Sequence, residues 1–281
     1  GVQTCALPIS ELPLAMLPEA ISQTRFRRHE ATLAAPKWEA LKKRAAEHGL
    51  TPSALLLSAF GEVLGNWSRG TQFSLNLTFF NRPRVHPQVA EIVGDFTSLL
   101  LVEIDLRDGS TFAERAQRAQ ARLLESLEHA LVSTVDVLRE LARRREGRRV
   151  TAPIVFTSGL GFGKLSGDIK VPGLAVLDVP YAITQTPQVW LDHQVMESDG
   201  ELRFNWDVVD GLFSAGSVES MLAAYGKLLE SLALSDELWG TECLSLTPVE
   251  HLASYAEINA TAAPVRSVLL HQLVEEQAAM H

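Results

Sequence analysis

A carboxylate within a predicted strand has the setting in this sequence that best suits proton-transfer chemistry. Asp192 stands among apolar neighbours, and the two-residue period of a strand places Trp190 and Gln194 on its own face. Burial there would raise the pKa of Asp192 and suit it to general acid and base catalysis near neutral pH. The alternative is an edge-strand carboxylate that faces solvent or caps a loop, since a buried carboxylate is costly unless it is hydrogen-bonded. The residues alone leave both interpretations open.

Two hydroxyl residues end a short apolar strand. Thr157 and Ser158 follow Ile154-Val-Phe156, and hydroxyls at a strand end can line a cleft and orient a substrate. Local turn bonds to the backbone are the alternative use of such residues. Without other information, turn bonds are the better interpretation of this pair.

A glycine-rich segment, Ser158 to Lys164, follows the same strand but does not fit a phosphate-binding loop. Such a loop needs Gly six positions before the lysine and Ser or Thr directly after it, and this sequence has Ser158 and Leu165 there. The dinucleotide-binding pattern also fails, because Ser166 replaces its third glycine. The segment is therefore predicted to be a flexible loop.

The histidines and the arginine-rich segment have simpler interpretations. None of the eight histidines stands at metal-ligand spacing from another His or from Cys. His193 and Asp192 face opposite sides of a strand, so His193 is predicted to be packed or solvated rather than coupled to the carboxylate. Arg139 to Arg149 is predicted to be a solvated helix end and loop, favoured by the helix dipole.

Bulk composition is that of a globular protein and excludes several functions. The 281 residues are 46% hydrophobic and 21% charged. A net charge of -9 gives no electrostatic basis for nucleic-acid binding. No apolar run is long enough to span a membrane, and no signal peptide begins the chain. Two cysteines, Cys5 and Cys243, are too few for a disulfide framework, which predicts a reduced, cytoplasmic protein.

Helices and strands alternate in a mixed order, which predicts an α/β two-layer sandwich with a mixed sheet. Residues 1–10 resemble a translated sequencing adapter and are predicted to be a scar outside the fold. Beyond Leu234 the periodicity is lost, and a linker is expected. Helices are predicted at 36–48, 52–67, 111–127, 133–145 and 214–234, and strands at 26–33, 72–80, 99–104, 154–157, 188–197 and 201–206.

Four segments of the sequence carry motifs in a fixed order. They are Thr51-Pro-Ser-Ala54 with Val63-Leu-Gly-Asn-Trp67, Gly94-Asp-Phe-Thr-Ser-Leu-Leu-Leu101, Ala152-Pro-Ile-Val-Phe-Thr-Ser-Gly-Leu-Gly161, and Thr184-Gln-Thr-Pro-Gln-Val-Trp-Leu-Asp192 with Trp206-Asp207. Together they resemble motifs of the heterocyclization branch of the condensation-domain superfamily, found in nonribosomal peptide synthetases. The last is the most specific, because Asp192 and Trp206 are separated by the family's thirteen residues. The match covers roughly residues 11–235, and residues 236–281 resemble a linker and the start of an adenylation domain.

The resemblance implies a chloramphenicol acetyltransferase-like lobe and an enzyme that forms an amide and cyclises it. A carrier-bound Cys, Ser or Thr would attack a carrier-bound acyl thioester, and cyclodehydration would give a thiazoline or oxazoline. The family assigns catalysis to Asp192 and Thr157. Asn76, Asn81, Ser158, Trp190 and Gln194 are the expected substrate-binding residues, while Asp95 is expected to be structural.

The resemblance also implies partners. No cofactor is expected to bind directly, because substrates would arrive on the 4'-phosphopantetheine of donor and acceptor carrier domains. The family signature DxxxxDxxS is absent, and so is the HHxxxDG of ordinary condensation domains. The amino-terminal lobe that carries such a signature is therefore an expected partner, with a downstream adenylation domain, and the isolated chain is expected to be inactive. An ordinary amide-forming condensation domain and a non-catalytic carrier-docking module are the alternatives.

Overall fold

The computed structural model describes residues 12–83, 85–144, 151–160, 183–262 and 269–280. The chain divides into two compact units, residues 1–246 and residues 247–281. The glycine-rich segment beyond Leu160, the arginines from Arg145 onward and the proposed scar lie outside the described residues. The candidate site belongs entirely to the first unit.

The first unit contains a mixed six-stranded sheet within the described ranges. Its order is β1-β6-β5-β4-β2-β3. The two central pairs, β2 with β4 and β4 with β5, are parallel, and the outer pairs are antiparallel. The strands are β1 Phe26–Leu33, β2 Gln72–Phe80, β3 Thr97–Asp105, β4 Ile154–Ser158, β5 Leu191–Ser198 and β6 Glu201–Val209.

Helix ends follow the capping residues of the sequence. The Thr51 side chain accepts a hydrogen bond from the Ala54 amide, and Pro52 occupies the first turn of α2. Thr111 and Glu114 form a complete capping box at the start of α3. Within the described ranges, the α-helices of this unit are α1 Ala35–Glu47, α2 Pro52–Trp67, α3 Phe112–Glu128, α4 Thr134–Arg144 and α5 Ser217–Leu234.

The two faces of the sheet differ in chemistry because side chains alternate along each strand. One face is apolar and packs on α2 and α5, where Phe60 and Tyr225 contact the rings of Phe156 and Trp206. The opposite face carries a row of residues in register across the six strands. This row is Arg28, Asp207, Asp192, Val155, Asn76 and Leu101.

His193 belongs to the apolar face. It is fully buried between Phe60, Phe156 and Tyr225, which confirms the packed interpretation of this residue. Its Nδ1 lies 3.3 Å from the carbonyl oxygen of Asn205. Burial lowers the pKa of His193 to about 3, so the ring is neutral at physiological pH.

A buried ion pair ties α2 to α3. Arg115 Nε donates to Glu62 Oε1 over 2.6 Å, and both side chains are nearly inaccessible to solvent. Arg115 Nη1 also donates to the carbonyl oxygens of Ser110 and Glu242. Burial raises the pKa of Glu62, although the hydrogen bond and charge of Arg115 act in the opposite direction.

Several boundaries differ from the sequence-based expectations. β5 begins at Leu191, three residues later than expected, because Gln188 adopts a positive φ of 71° in the preceding turn. α2 is buried on almost all sides, since its residues from Ala54 to Leu64 are all buried. Residues 236–246 pack with the first unit, since the Trp239 ring stacks on His48 at 4.3 Å and is 1% exposed. The described residues of the second unit form two helices, α6 Val249–Ile258 and α7 Leu270–Met280, in the region expected to be a linker and the start of an adenylation domain.

Candidate functional site

A cleft of about 690 Å³ opens on the polar face of the sheet and continues to α3. Five of the seven predicted site residues line it, and the apolar part of its wall comes from the sheet and from α3. A cleft with mostly apolar walls and a few convergent polar groups is typical of a small-molecule site. Its lining includes Asp192, Thr157, Ser158, Asn76, Gln194, Thr78, Ser53, Thr184, Leu123, Leu127, Phe79 and Val189.

Asp192 lines the cleft and is only 6% exposed. Its Oδ2 accepts a hydrogen bond from Gln194 Nε2 at 3.0 Å. Its Oδ1 is buried and has no hydrogen-bond partner among the residues that the structure describes. A half-satisfied buried carboxylate is costly in free energy, and such groups concentrate at functional sites.

The pKa of Asp192 is raised above its ordinary value. Burial is the largest cause, and the negative charge of Asp207 adds to it. The nearby Thr184 hydroxyl, the hydrogen bond from Gln194 and the positive charge of Arg28 act in the opposite direction without cancelling the increase. The protonated and ionised forms of Asp192 are therefore closer in free energy near neutral pH than those of an exposed aspartate, which suits general acid and base catalysis.

Asp207 is the cross-strand neighbour of Asp192, but its pKa is shifted in the opposite direction. Arg28 binds it through two hydrogen bonds, Nε to Oδ1 at 2.7 Å and Nη2 to Oδ2 at 2.6 Å. The Thr184 amide and hydroxyl donate to Asp207 Oδ2 at 2.8 and 2.6 Å. Burial alone would raise the pKa of Asp207, but the donors from Arg28 and Thr184 outweigh it and hold the pKa below its ordinary value.

Hydroxyl pairs form the neighbouring part of the cleft. Thr157 Oγ1 lies 2.5 Å from Thr78 Oγ1, and Ser158 Oγ lies 2.7 Å from Ser53 Oγ at the start of α2. Thr157 is in register with both Thr78 and Gln194 on the flanking strands. These hydroxyls make side-chain bonds across the cleft wall rather than the local turn bonds that the residues alone favoured.

Of the three remaining predicted site residues, Asn76 lines the cleft, whereas Asn81 and Trp190 do not. Asn76 is 7% exposed, and its Oδ1 has no partner within the described part of the chain. Asn81 follows β2, and its backbone N–H donates to the backbone carbonyl oxygen of Phe96. Trp190 precedes β5, and its amide donates to Pro153 while its ring packs against the core. Neither Asn81 nor Trp190 is among the residues that line the cleft.

Sequence reasoning missed four polar residues of this site. Thr184 and Asp207 stand inside the quoted motifs, but only the strand register shows that Asp207 opposes Asp192. Thr78 alternates with Asn76 along β2, so the period of a strand could have identified it. Ser53 has no sequence signal beyond its place in the first turn of α2.

Neither a metal cluster nor a membrane span appears in the described ranges. These residues contain no group of three or more His, Cys, Asp or Glu side chains placed to hold a metal ion. No helix among them has the length and apolar character needed to cross a bilayer.

Known proteins match most of the chain. Residues 4–242 match the family model of the condensation domain. The pyochelin synthetase PchF of Pseudomonas aeruginosa is 46% identical over 241 residues, which are 85% of this chain and 13% of PchF. The phenyloxazoline synthase MbtB of Mycobacterium tuberculosis is 40% identical over 237 residues, 82% of this chain and 16% of MbtB. The chain thus spans less than a fifth of these relatives.

Solved structures share the fold. A cyclization-docking bidomain of the nonribosomal peptide synthetase EpoB from Sorangium cellulosum superposes with a TM-score of 0.71 and 39% identity, over 83% of this chain and 46% of that one. The nonribosomal peptide synthetase FmoA3 superposes with a TM-score of 0.78 and 35% identity, over 97% of this chain and 28% of that one. The predicted α/β fold with a mixed sheet is confirmed.

Proposed function

Because the chain belongs to the condensation-domain family, we propose that it forms part of a heterocyclization domain in a nonribosomal peptide synthetase. The domain condenses a carrier-bound acyl or peptidyl thioester with a carrier-bound Cys, Ser or Thr, and then cyclodehydrates the product to a thiazoline or oxazoline. Similarity to proteins named phenyloxazoline synthase and cyclization bidomain supports the heterocyclizing branch. The observation that carries the assignment is the buried, half-bonded carboxylate of Asp192 in the cleft.

The ring-forming stage needs two proton transfers, and one carboxylate can perform both. In the addition step, the side-chain thiol or hydroxyl forms a bond to the amide carbon. Its proton passes through Asp192 to the former carbonyl oxygen. In the elimination step, the proton on the ring nitrogen passes through Asp192 to the hydroxyl group. The carbon–oxygen bond then breaks, one water leaves and a carbon–nitrogen double bond forms. Asp192 ends each step in its starting form.

Thr157 has the second role in this proposal. Its hydroxyl is paired with Thr78 in the cleft wall, so that one hydroxyl of the pair can donate to a carbonyl or hydroxyl oxygen of the substrate. Asn76, with an unpartnered Oδ1 nearby on the same strand as Thr78, can accept from a substrate amide. Ser158 contributes a hydroxyl beside the start of α2.

The proposed partners follow from the same assignment. Donor and acceptor carrier domains present substrates on phosphopantetheine, and an adenylation domain follows along the synthetase. The cleft lies open on one face of this lobe, and we propose that a second lobe of the domain completes its wall. Turnover by the chain alone is therefore expected to be very low. A cytoplasmic location is expected for such a synthetase, in keeping with the exposed free thiol of Cys243.

Two alternatives are distinguished by the rest of the synthetase sequence. A DxxxxDxxS signature in the second lobe supports heterocyclization, and HHxxxDG supports an ordinary amide-forming domain. A lobe with neither signature supports a non-catalytic docking module for carrier proteins. The geometry favours an enzyme over a docking module, because a buried carboxylate with an unpartnered oxygen has no use in docking.

The proposal is tested by Asp192→Asn in the synthetase that contains this chain. The amide cannot take up a proton, so linear peptide is expected to accumulate in place of the ring. Asp199→Asn is the matched control, because Asp199 is exposed in the β5–β6 turn and Asn accepts its positive φ of 53°. Ring formation at the parent rate in the Asp192 variant would remove Asp192 from the proposed role.

A further inference from the structure

We propose that Thr184, held by Asp207 and Arg28, is a positioning residue that selects Oδ1 of Asp192 as the oxygen that carries the transferred proton. This inference rests on the proposed function and deepens it. It concerns a chain of five side chains, joined by four hydrogen-bonded contacts, that crosses three strands of the polar face. The chain begins at Arg28 on β1 and ends at Asp192 on β5.

The charge of Arg28 fixes the direction of the first bonds. An arginine is always protonated and only donates, and its two bonds to Asp207 make that residue a carboxylate acceptor. Asp207 is inaccessible to solvent, so its remaining acceptor capacity has to be met by protein donors. The amide and hydroxyl of Thr184 meet it.

Thr184 has one hydroxyl proton, and the carboxylates of Asp207 and Asp192 both lie beside it. The 2.6 Å distance to Asp207 Oδ2 assigns that proton to Asp207. Thr184 Oγ1 can then only accept a hydrogen bond from its other neighbour, Gln194. The atom 2.8 Å away must be a donor, which fixes the Gln194 side chain with Nε2 toward Thr184.

The orientation of Gln194 decides the state of Asp192. The second proton on Gln194 Nε2 points to Asp192 Oδ2 at 3.0 Å, so this oxygen is held as an acceptor. A proton on Oδ2 would face a donor and is disfavoured. Oδ1, which is buried and has no partner in the described part of the chain, is the oxygen left to take and return a proton once a substrate group is brought into contact with it. Gln194 therefore acts by positioning Asp192, whereas the sequence predicted that it binds substrate.

The proton transfers of ring closure can then be written with their atoms. As the carbon–sulfur or carbon–oxygen bond forms, ionised Oδ1 takes the nucleophile's proton and gives it to the oxygen that receives the carbonyl electron pair. In the elimination, Oδ1 takes the proton of the ring nitrogen, whose electron pair forms the double bond. It gives this proton to the hydroxyl that leaves as water. Oδ2 keeps its bond to Gln194 throughout.

Thr184→Val tests this chain, because valine keeps the shape of threonine and removes the hydroxyl. Thr184→Ser restores the hydroxyl, and Thr32→Val makes the same change at an exposed position of β1. In the synthetase, Thr184→Val is expected to slow ring closure about tenfold while linear amide forms at the parent rate. The acid limb of the pH–rate profile is expected to move to higher pH, because Gln194, whose hydrogen bond lowers the pKa of Asp192, loses the acceptor that orients it. Thr184→Ser is expected to restore both the rate of ring closure and the position of the acid limb.

A second measurement separates this inference from the proposed function. Carbon-13 NMR titration of Asp192 in this chain, assigned by its loss in Asp192→Asn, is expected to show a higher pKa in Thr184→Val than in the parent or in Thr32→Val. An unchanged titration and unchanged ring closure in Thr184→Val would overturn the inference, as would failure of Thr184→Ser to restore them. A shifted titration in a synthetase that forms no ring supports the hydrogen-bond chain and refutes the heterocyclization.

Discussion

His193 makes the stability of the first unit depend on pH, with a sign set by its burial. The native pKa is about 3, against 6.5 for the ordinary side chain. Below about pH 6.5 the unfolded chain binds a proton on His193 that the native protein does not bind, so stability falls as the pH falls. Each pH unit costs about 1.4 kcal/mol, so this residue removes roughly 2 kcal/mol between pH 7 and pH 5.

The assay is urea unfolding at pH 7 and pH 5, followed by tryptophan fluorescence, for the parent and for His193→Leu. Leucine fits an apolar site and cannot titrate, so the variant is expected to lose less stability between the two pH values, by roughly 2 kcal/mol. Asp192 and Glu62, whose pKa values are raised, increase the stability as the pH falls, but they do so equally in the parent and in His193→Leu. His129→Leu, at an exposed position, is the control. Equal pH dependence of the parent and His193→Leu would refute the reasoning.

Two further predictions concern the buried ion pair and the hydroxyl pair. Arg115→Met leaves Glu62 buried without its partner, and we expect it to lower the free energy of unfolding by roughly 3–5 kcal/mol. The double variant Arg115→Met with Glu62→Leu is expected to recover most of that loss. Denaturant unfolding measures both variants, and equal losses of stability in the two would contradict the prediction. Thr78→Val removes the hydroxyl that pairs with Thr157, and we expect ring closure to slow about tenfold with folding unchanged. Product analysis checks this, and Thr78→Ser should restore the rate.

Side chains alternate between the two faces of β5, so that neighbouring residues of one strand lie in the core and in the candidate site. Asp192 and His193 are adjacent, and burial disfavours the charged form of each. The pKa of Asp192 therefore rises and that of His193 falls, both toward neutral side chains. On the apolar face the neutral His193 ring packs in the core, whereas on the polar face the Asp192 carboxylate keeps one oxygen without a partner among the described residues. The same physical cause favours the neutral form of both residues.

Local features of the fold were predictable from the sequence. The capping residues Thr51 and Thr111 and the β5–β6 turn at Asp199 and Gly200 are determined by neighbours in the chain, because their residue types favour these local conformations. The beginning of β5 was wrong by three residues, because the positive φ of Gln188 has no clear sequence signal.

Long-range features of the site were not predictable in the same way. The motifs identified Asp192 and Thr157, but the bonds of Arg28 to Asp207 join residues 179 positions apart. Such a contact depends on strand order and register, which periodicity does not determine. The packing of Trp239 on the first unit was missed for the same reason, since the helical period ends before it.

The role of Asp192 in ring closure is tested most directly by a single-turnover time course in the synthetase that contains this chain. Mass spectrometry of the carrier-bound species follows linear amide and ring separately for the parent and for Asp192→Asn. The variant is expected to form linear amide at the parent rate and to retain it without loss of water. Appearance of the ring at the parent rate in Asp192→Asn would contradict the account.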